Sequence, residues 1–293
     1  MSSGSFVNKT LAKGKVRDHW GIIGGGSSDH FSRIMFCGLR ISLYLSSQAK
    51  RQSRAAIRFN YNQKIFRTFM DDNNNKVVPQ YYYTEKEMDK VSAYIEEQYG
   101  EFEKVGHERV SPDIHCDIVV VPPTEEQPYY KLVTMGAGAY RMNVPKGLLG
   151  VCDRAEYVIY LPKDWNLESG KDEDWWPIKM LKTVARLPVR TNDWLYISHT
   201  INLTEDGSPV AENTKFNSCM LLVSVGKDEQ CVKPLKMGWF GKKVAFYQLY
   251  PLYQEELEYK LEHSFDELIE RIDDEDLSNH IVNIHRKNYC IGI

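Results

Sequence analysis

The 293-residue chain contains no run of 18 apolar residues, so no membrane-spanning helix is expected. Lys9, Lys13, Lys15 and Arg17 are followed by the glycine-rich Gly21-Ile-Ile-Gly-Gly-Gly-Ser rather than an apolar core, which does not match a secretory signal. The same glycine run lacks the Gly-Lys-Ser/Thr ending of a phosphate loop. HExxH, GxSxG and the dinucleotide-binding glycine pattern are missing, so the common zinc-protease, hydrolase and Rossmann chemistries have no sequence support. No CxxC pair exists either. Cys37, Cys116, Cys152, Cys219, Cys231 and Cys290 are scattered, and Cys116 and Cys219 lie among apolar neighbours, as small core side chains do. That usage suits a reducing, cytoplasmic setting, although an even count never excludes bridges. No cofactor is expected.

With 42% hydrophobic and 26% charged residues, the chain can build a core and stay in solution. Its net charge of −3 hides a division. Residues 1–70 hold 12 Lys and Arg against two acidic residues, leaving 25 basic and 38 acidic residues in 71–293. The basic part has irregular apolar spacing and no helix caps. It reads as a basic N-terminal extension, disordered or not natively translated, with Met70 as an alternative start. A nucleic-acid or membrane-surface arm is a third reading of it, because cationic segments attract phosphate.

From about residue 80 the pattern is organised. Thr84-Glu-Lys-Glu87 matches a capping box, and Met88, Val91, Ile95 and Tyr99 follow at helical spacing up to Gly100. Strands are expected at 114–121, 129–135, 156–161, 194–201, 216–225 and 244–250, with the first two forming a hairpin. A helix started by Pro177 and stopped by Pro188 carries Ile178, Leu181, Val184, Ala185 and Leu187 on one face. Another is expected over 252–259, and Ser264-Phe-Asp-Glu267 caps a further helix. The segment 281–284 is expected to dock on the body or pair at a sheet edge. Helix, strands, helix, strands, helices in that order predict an α+β domain: a mixed β-sheet flanked by helices, spanning 80–293.

Several constellations invite chemistry. His115 and Asp117 alternate onto one strand face, and His199 is the third member of a conceivable hydrolase or zinc cluster. A hydrogen-bonded structural His–Asp pair is the simpler reading. Cys116 or Cys152 as a thiol nucleophile lacks any diagnostic flank. Asp164, Glu168, Asp172, Glu173 and Asp174 form an acidic loop cluster among Trp165, Trp175, Trp176 and Trp194. Trp176 and Trp194 read as core. Trp165 and Trp175 read as loop residues able to anchor a partner, with acidic neighbours favouring a basic one. Asp117, Tyr140, Trp165, Asp172, Asp174 and Trp175 are the candidate partner-binding residues.

Ordered motifs then point to a family. His115-Cys-Asp-Ile-Val-Val-Val-Pro-Pro-Thr124, Pro128-Tyr-Tyr-Lys-Leu-Val-Thr-Met-Gly136, Tyr140-Arg-Met-Asn-Val-Pro145, Ala155-Glu-Tyr-Val-Ile-Tyr-Leu-Pro-Lys-Asp-Trp165, Trp176-Pro-Ile-Lys-Met-Leu-Lys182, Ala185-Arg-Leu-Pro188 and His199-Thr-Ile201 resemble the suppressor-of-fused domain. The resemblance covers most of 80–293 and none of 1–70. It implies a helix-flanked mixed sheet and a binding module rather than an enzyme. In animals the family member regulates Hedgehog signalling and holds a transcription factor through a short peptide; that protein has a second domain that this chain is too short to contain in full. Bacterial single-domain members are widespread, and many are proposed to be immunity proteins. The resemblance therefore implies a cytoplasmic, bacterial immunity protein that neutralises a toxin by stoichiometric binding. The alternatives are a regulatory or scaffold protein that takes a peptide by strand addition, and a hydrolase using His115, Asp117 and His199. The expected partner is a protein, a toxin domain or a basic peptide segment, with no membrane and no nucleic acid.

Overall fold

The computed structural model describes residues 80–293, apart from 112, 150–152, 239–241, 274, 275, 278 and 293. Expectations for 1–70, Met70 and Cys152 fall outside the described residues. Thr84 opens α1 (Glu85–Tyr99), where Glu87 reaches back to accept from the Thr84 N–H at 3.1 Å. That bond satisfies a donor that no helical carbonyl can reach. Val91, Ile95 and Tyr99 are buried, and Gly100 ends the helix with φ 118°, a conformation that glycine adopts without strain.

β1 (Lys104–Gly106), β2 (Asp117–Val121), β3 (Tyr129–Met135), β4 (Ala155–Pro162), β8 (Lys243–Leu252), β6 (Ser218–Val223) and β5 (Thr200–Asn202) lie side by side in that order, and β7 (Leu235–Lys236) pairs off the start of β8. β2 and β3 make the expected hairpin, running from Val121 opposite Lys131 to Asp117 opposite Met135. The ladder is antiparallel except at β4–β8, where Ala155–Val158 run parallel to Ala245–Gln248. The sheet is therefore mixed, as expected.

Alternation along the strands sends successive residues to two cores. Ile118, Leu132, Ile159 and Leu249 pack under α2 (Asp172–Thr191) with Trp176, Leu181 and Val184. Val119, Val133, Val158 and Phe246 pack under α1. At the far end of the α1 face, α4 (Phe265–Arg271) contributes Leu268 and Ile269 to a third cluster with Met220 and Tyr250. Ser264 caps α4, its Oγ accepting from the Glu267 N–H at 3.1 Å. α3 (Gln254–Glu262) connects β8 to α4.

Four sequence expectations shift or narrow. First, α2 begins at Asp172, not Pro177, and runs past Pro188 to Asn192, which closes it in the left-handed region. Pro177 has no N–H to give the Glu173 carbonyl. Asn213 Nδ2 donates to that carbonyl instead, at 2.8 Å. Second, the strand placed at 194–201 reduces to Thr200–Asn202. Ser198 has φ 71°, which turns the chain before β5, and Trp194 and Tyr196 serve as core. Third, β8 continues through Pro251, which stands opposite Cys219, so the helix expected from 252 starts at Gln254. Fourth, of the two placements expected for 281–284 the segment takes docking on the body, with Val282 and Ile284 against the core, and its one bridge, Ile281 to Tyr160, lies inside the sheet rather than at an edge.

Glu156 ties the start of α1 to the sheet. It is a carboxylate inside a buried strand, and it accepts from Thr134 Oγ1 (2.6 Å), Tyr83 Oη (2.7 Å) and the N–H groups of Gly136, Ala137 and Gly138 (3.0, 3.2 and 3.0 Å). Burial pushes this carboxyl up from its ordinary value, and the bonds from Thr134, the backbone and Tyr83 pull it back. Gly136, at φ 133°, permits the turn that aims the three N–H groups inward.

Candidate functional site

The sheet has two ends of different character. β5 is largely covered, with Thr200 and Ile201 buried. β1 is open: Lys104 and Gly106 are exposed, and among the described residues no strand pairs beyond it. An open edge presents backbone donors and acceptors to another chain. Lys104 Nζ meets Glu168 Oε1 at 2.7 Å across the solvent, which sets the loop 163–171 beside this edge.

That loop leads into the first turn of α2, and the two form an aromatic and acidic corner. Trp165 Nε1 donates to the Asp174 carbonyl at 2.9 Å, while its ring stands edge-on to Trp176, centroids 5.7 Å apart. Trp165 is thereby half-buried and fixed. Trp175 belongs to the helix rather than to a loop, and its side of α2 leaves it 38% exposed, enough area for a partner to cover. Asp172 is exposed and pairs with Lys179 at 2.6 Å. The structure thus gathers Trp165, Asp172, Asp174 and Trp175 in one place.

Tyr140 and Asp117 stand elsewhere. Tyr140 packs edge-on to Tyr81, centroids 5.0 Å apart, in the segment leading to α1, and burial raises its hydroxyl. Asp117, offered as a surface residue, is buried. Its oxygens accept from the Glu108 N–H at 2.9 Å and meet His107 Nδ1 at 3.0 Å and His115 Nε2 at 3.2 Å. A carboxylate entering the sheet can be buried only with such partners. This is the structural His–Asp pair, extended by His107. The loop that carries it is bound to α2: Glu108 meets Lys182 and Arg186 at 3.1 and 2.5 Å, and Asp113 meets Arg186 and Arg190 at 3.1 and 2.8 Å.

His199 does not join them. It packs on Trp194, centroids 4.7 Å apart, and burial, then the charge of Lys260, lower it to about 4. Its neighbours are Trp194, Leu221 on β6 and Lys260 on α3, whereas those of His115 are Ser111 and Asp117. The proposed His115/Asp117/His199 cluster is therefore not assembled. Among the described residues no three His, Cys, Asp or Glu side chains gather as a metal-holding group. Burial pushes the Cys116 thiol up, away from the nucleophilic thiolate. No described helix is long and apolar enough to cross a membrane.

A family model described as suppressor of fused protein (SUFU) matches residues 112–287. The chain belongs to the suppressor of fused family. As a suppressor-of-fused chain it is a protein-binding, scaffold-type module. A search of curated proteins gives no match. Among solved structures, a SUFU homologue from Neisseria gonorrhoeae FA 1090 is similar at TM-score 0.46 and 19% identity, over 70% of this chain and 98% of that one. A Sufu–Fu complex gives 0.45 and 13%, over 68% and 88%. Drosophila Suppressor of Fused gives 0.38 and 13%, over 64% of this chain and 46% of that chain.

Sequence reasoning missed two parts of this suppressor-of-fused fold. β1 is three residues, Lys-Val-Gly, too short for any periodic signal. Asn213 is a loop residue with no local signature. The role of Glu156 was not read either, although a charge inside the apolar run 155–161 is a signal for it.

Proposed function

We propose that this chain captures an extended segment of a partner protein by strand addition at β1, with Trp175 as a side-chain anchor. The observation that carries the reading is the open edge of β1, beside which the Lys104–Glu168 contact brings the loop that leads into the exposed Trp175. Backbone bonds along an edge supply affinity without sequence demands, and a neighbouring aromatic supplies selectivity. Asp164, Glu168, Asp172, Glu173 and Asp174 outnumber the lysines in 163–174, so the favoured segment is basic. Stoichiometric neutralisation of a toxin is one use of such binding. It is marked by a toxin whose activity falls at a one-to-one ratio.

The test is a phage-displayed peptide library panned on the whole chain, followed by hydrogen exchange of the protein with a selected peptide. Basic peptides should slow exchange at Lys104–Gly106, and Trp175→Ala should cost more than about 1 kcal/mol of binding. Peptides that protect other regions and bind the variant equally would overturn the proposal.

A further inference from the structure

Lys131 stands where the sheet calls for an apolar residue. It lies in β3 between Val121 of β2 and Tyr160 of β4. Two positions before Val133, it belongs to the face under α1. Only 1% of it is exposed. Lysine is almost never buried so fully unless a carboxylate pairs with it. Among the described residues no carboxylate pairs with Lys131; its Nζ lies over the Tyr129 ring, 5.1 Å from the centroid. That contact offsets only part of the cost of burying an ammonium.

A second lysine is brought to the same place. Tyr160, directly across the ladder from Lys131, donates its Oη to the Val225 carbonyl at 2.6 Å and accepts from the Val225 N–H at 3.0 Å. Side chains opposite one another in a ladder stand about 5 Å apart at Cβ and run alongside each other. The tip of Lys131 therefore comes out at the turn that Val225 begins. The Gly226 N–H closes that turn on the Gln230 carbonyl at 2.9 Å, and the Lys227 N–H pins it to the Gln98 carbonyl of α1 at 2.6 Å. Residues 227–230 are exposed. Of the charges on the turn, Lys227 acts on Lys131, Glu229 acts on Tyr129, and Asp228 accepts from the Gln230 N–H at 3.1 Å. Burial first, and Lys227 second, lower the Lys131 amine to about 8.

We propose that Lys131 is a site of reversible carbamylation by carbon dioxide, with the Lys227 ammonium as the counter-charge of the product. The uncharged nitrogen attacks the carbon of carbon dioxide. A C–N bond forms, one C–O π pair moves onto oxygen, and the proton that nitrogen sheds goes to solvent. No oxidant, reductant or leaving group takes part. Carbon dioxide suits the setting because it is small and uncharged, so it enters an apolar interior without the desolvation penalty that excludes an anion. The carbamate replaces two neighbouring like charges by an ion pair, and the exposed turn rather than the packed sheet gives way to its oxygens. Ordinary exposed lysines, at about 10.4, are protonated at neutral pH and do not compete. The charge of this patch thereby follows dissolved carbon dioxide.

The test is carbon-13 NMR of the whole chain at about pH 8 in labelled bicarbonate, which supplies carbon dioxide. The parent should show a carbamate carbonyl signal that is missing from Lys131→Met, a variant that puts an unbranched apolar chain in the same apolar place. In Lys227→Met, changed at an exposed position, that signal should weaken about twofold to fivefold, the worth of a surface ion pair. Identical carbamate spectra for the parent and Lys131→Met overturn the proposal, and an unchanged signal in Lys227→Met overturns the assigned counter-charge. Should Lys131→Met lose its native circular dichroism, the parent decides: the carbamate is trapped with triethyloxonium and located by peptide mass spectrometry. A trapped label on Lys131 supports the site. Label on the N-terminal amine with none on Lys131 overturns it.

Discussion

Replacing Arg286 by Met should cost this protein a large part of its stability. Arg286 and Glu256 side chains are 3% and 0% exposed and meet face to face, Nη1 to Oε1 at 2.6 Å and Nη2 to Oε2 at 2.5 Å. The guanidinium also donates to the Pro251 and Lys287 carbonyls, both at 2.9 Å, and lies over the rings of Phe216, Tyr250 and Tyr253 at 5.1, 5.2 and 4.7 Å. Removing it leaves a carboxylate in the interior with only the Tyr253 and Tyr289 N–H groups, at 3.1 and 3.2 Å. Breaking such a pair costs about 3–5 kcal/mol, because the surviving charge stays desolvated. Desolvated cation–ring contacts are worth up to about 2 kcal/mol and belong to the same loss. Glu256→Leu should cost a similar amount by stranding the guanidinium. The double variant should cost clearly less than the sum of the two, because neither charge is then left unpaired. The assay is urea unfolding at neutral pH, followed by tryptophan fluorescence, for the parent, both single variants and the double variant. An Arg286→Met variant within about 1 kcal/mol of the parent, or strictly additive costs, would refute the reasoning.

Two further outcomes are expected. His199 titrates at about 4 when folded against an ordinary 6.5, because burial and then Lys260 disfavour its charge. Its lowered value makes the associated stability fully present above pH 6.5, and that stability declines as the pH falls toward 4, by on the order of 3 kcal/mol. Between those limits His199→Gln should flatten the pH dependence of unfolding by close to one proton, and an unchanged slope would contradict the burial argument. Separately, Gly138→Ala would place a Cβ 2.8 Å from Val244 Cγ1 and closer still to Tyr83 Oη, so the turn that feeds Glu156 must shift. Calorimetry should show a melting temperature lowered by a loss of about 1–3 kcal/mol, the usual cost of overpacking, with Gly147→Ala, which meets nothing within 4 Å, as the unchanged control.

The sequence reading succeeded where local chemistry and burial agree. Thr84 with Glu87, Ser264 with Glu267, and the apolar runs of β2, β3 and β4 are decided by caps and by side chains a few residues apart, so they were legible. The proline boundaries were not. Pro177 read as a helix limit because a sequence window cannot see Asn213 arriving from 40 positions away to satisfy the Glu173 carbonyl. The 194–201 segment misled for a related reason: its aromatic residues are demanded by the core rather than by a ladder. At the candidate site, Trp165, Asp172, Asp174 and Trp175 lie together because they are neighbours in the chain. Asp117 was misplaced because its alternation gave a face but not the burial of that face, which depends on His107 and His115 closing over it. The open edge and the parallel pairing of β4 with β8 are properties of strand order, which is fixed by contacts between distant parts of the chain.

The replacement of a missing helical donor by Asn213 has a mechanical consequence. A proline inside a helix leaves one carbonyl uncommitted, and here that carbonyl became a socket for the loop between β5 and β6. The first turn of α2 and that loop, which already meet through the Trp176 and Phe216 rings 6.3 Å apart, are thereby joined by a hydrogen bond as well. Trp175 lies two residues from the socket, so the corner that carries it is tied through Asn213 to the connection between β5 and β6. An apparent fault in one helix thus becomes an attachment point for a loop distant in the chain.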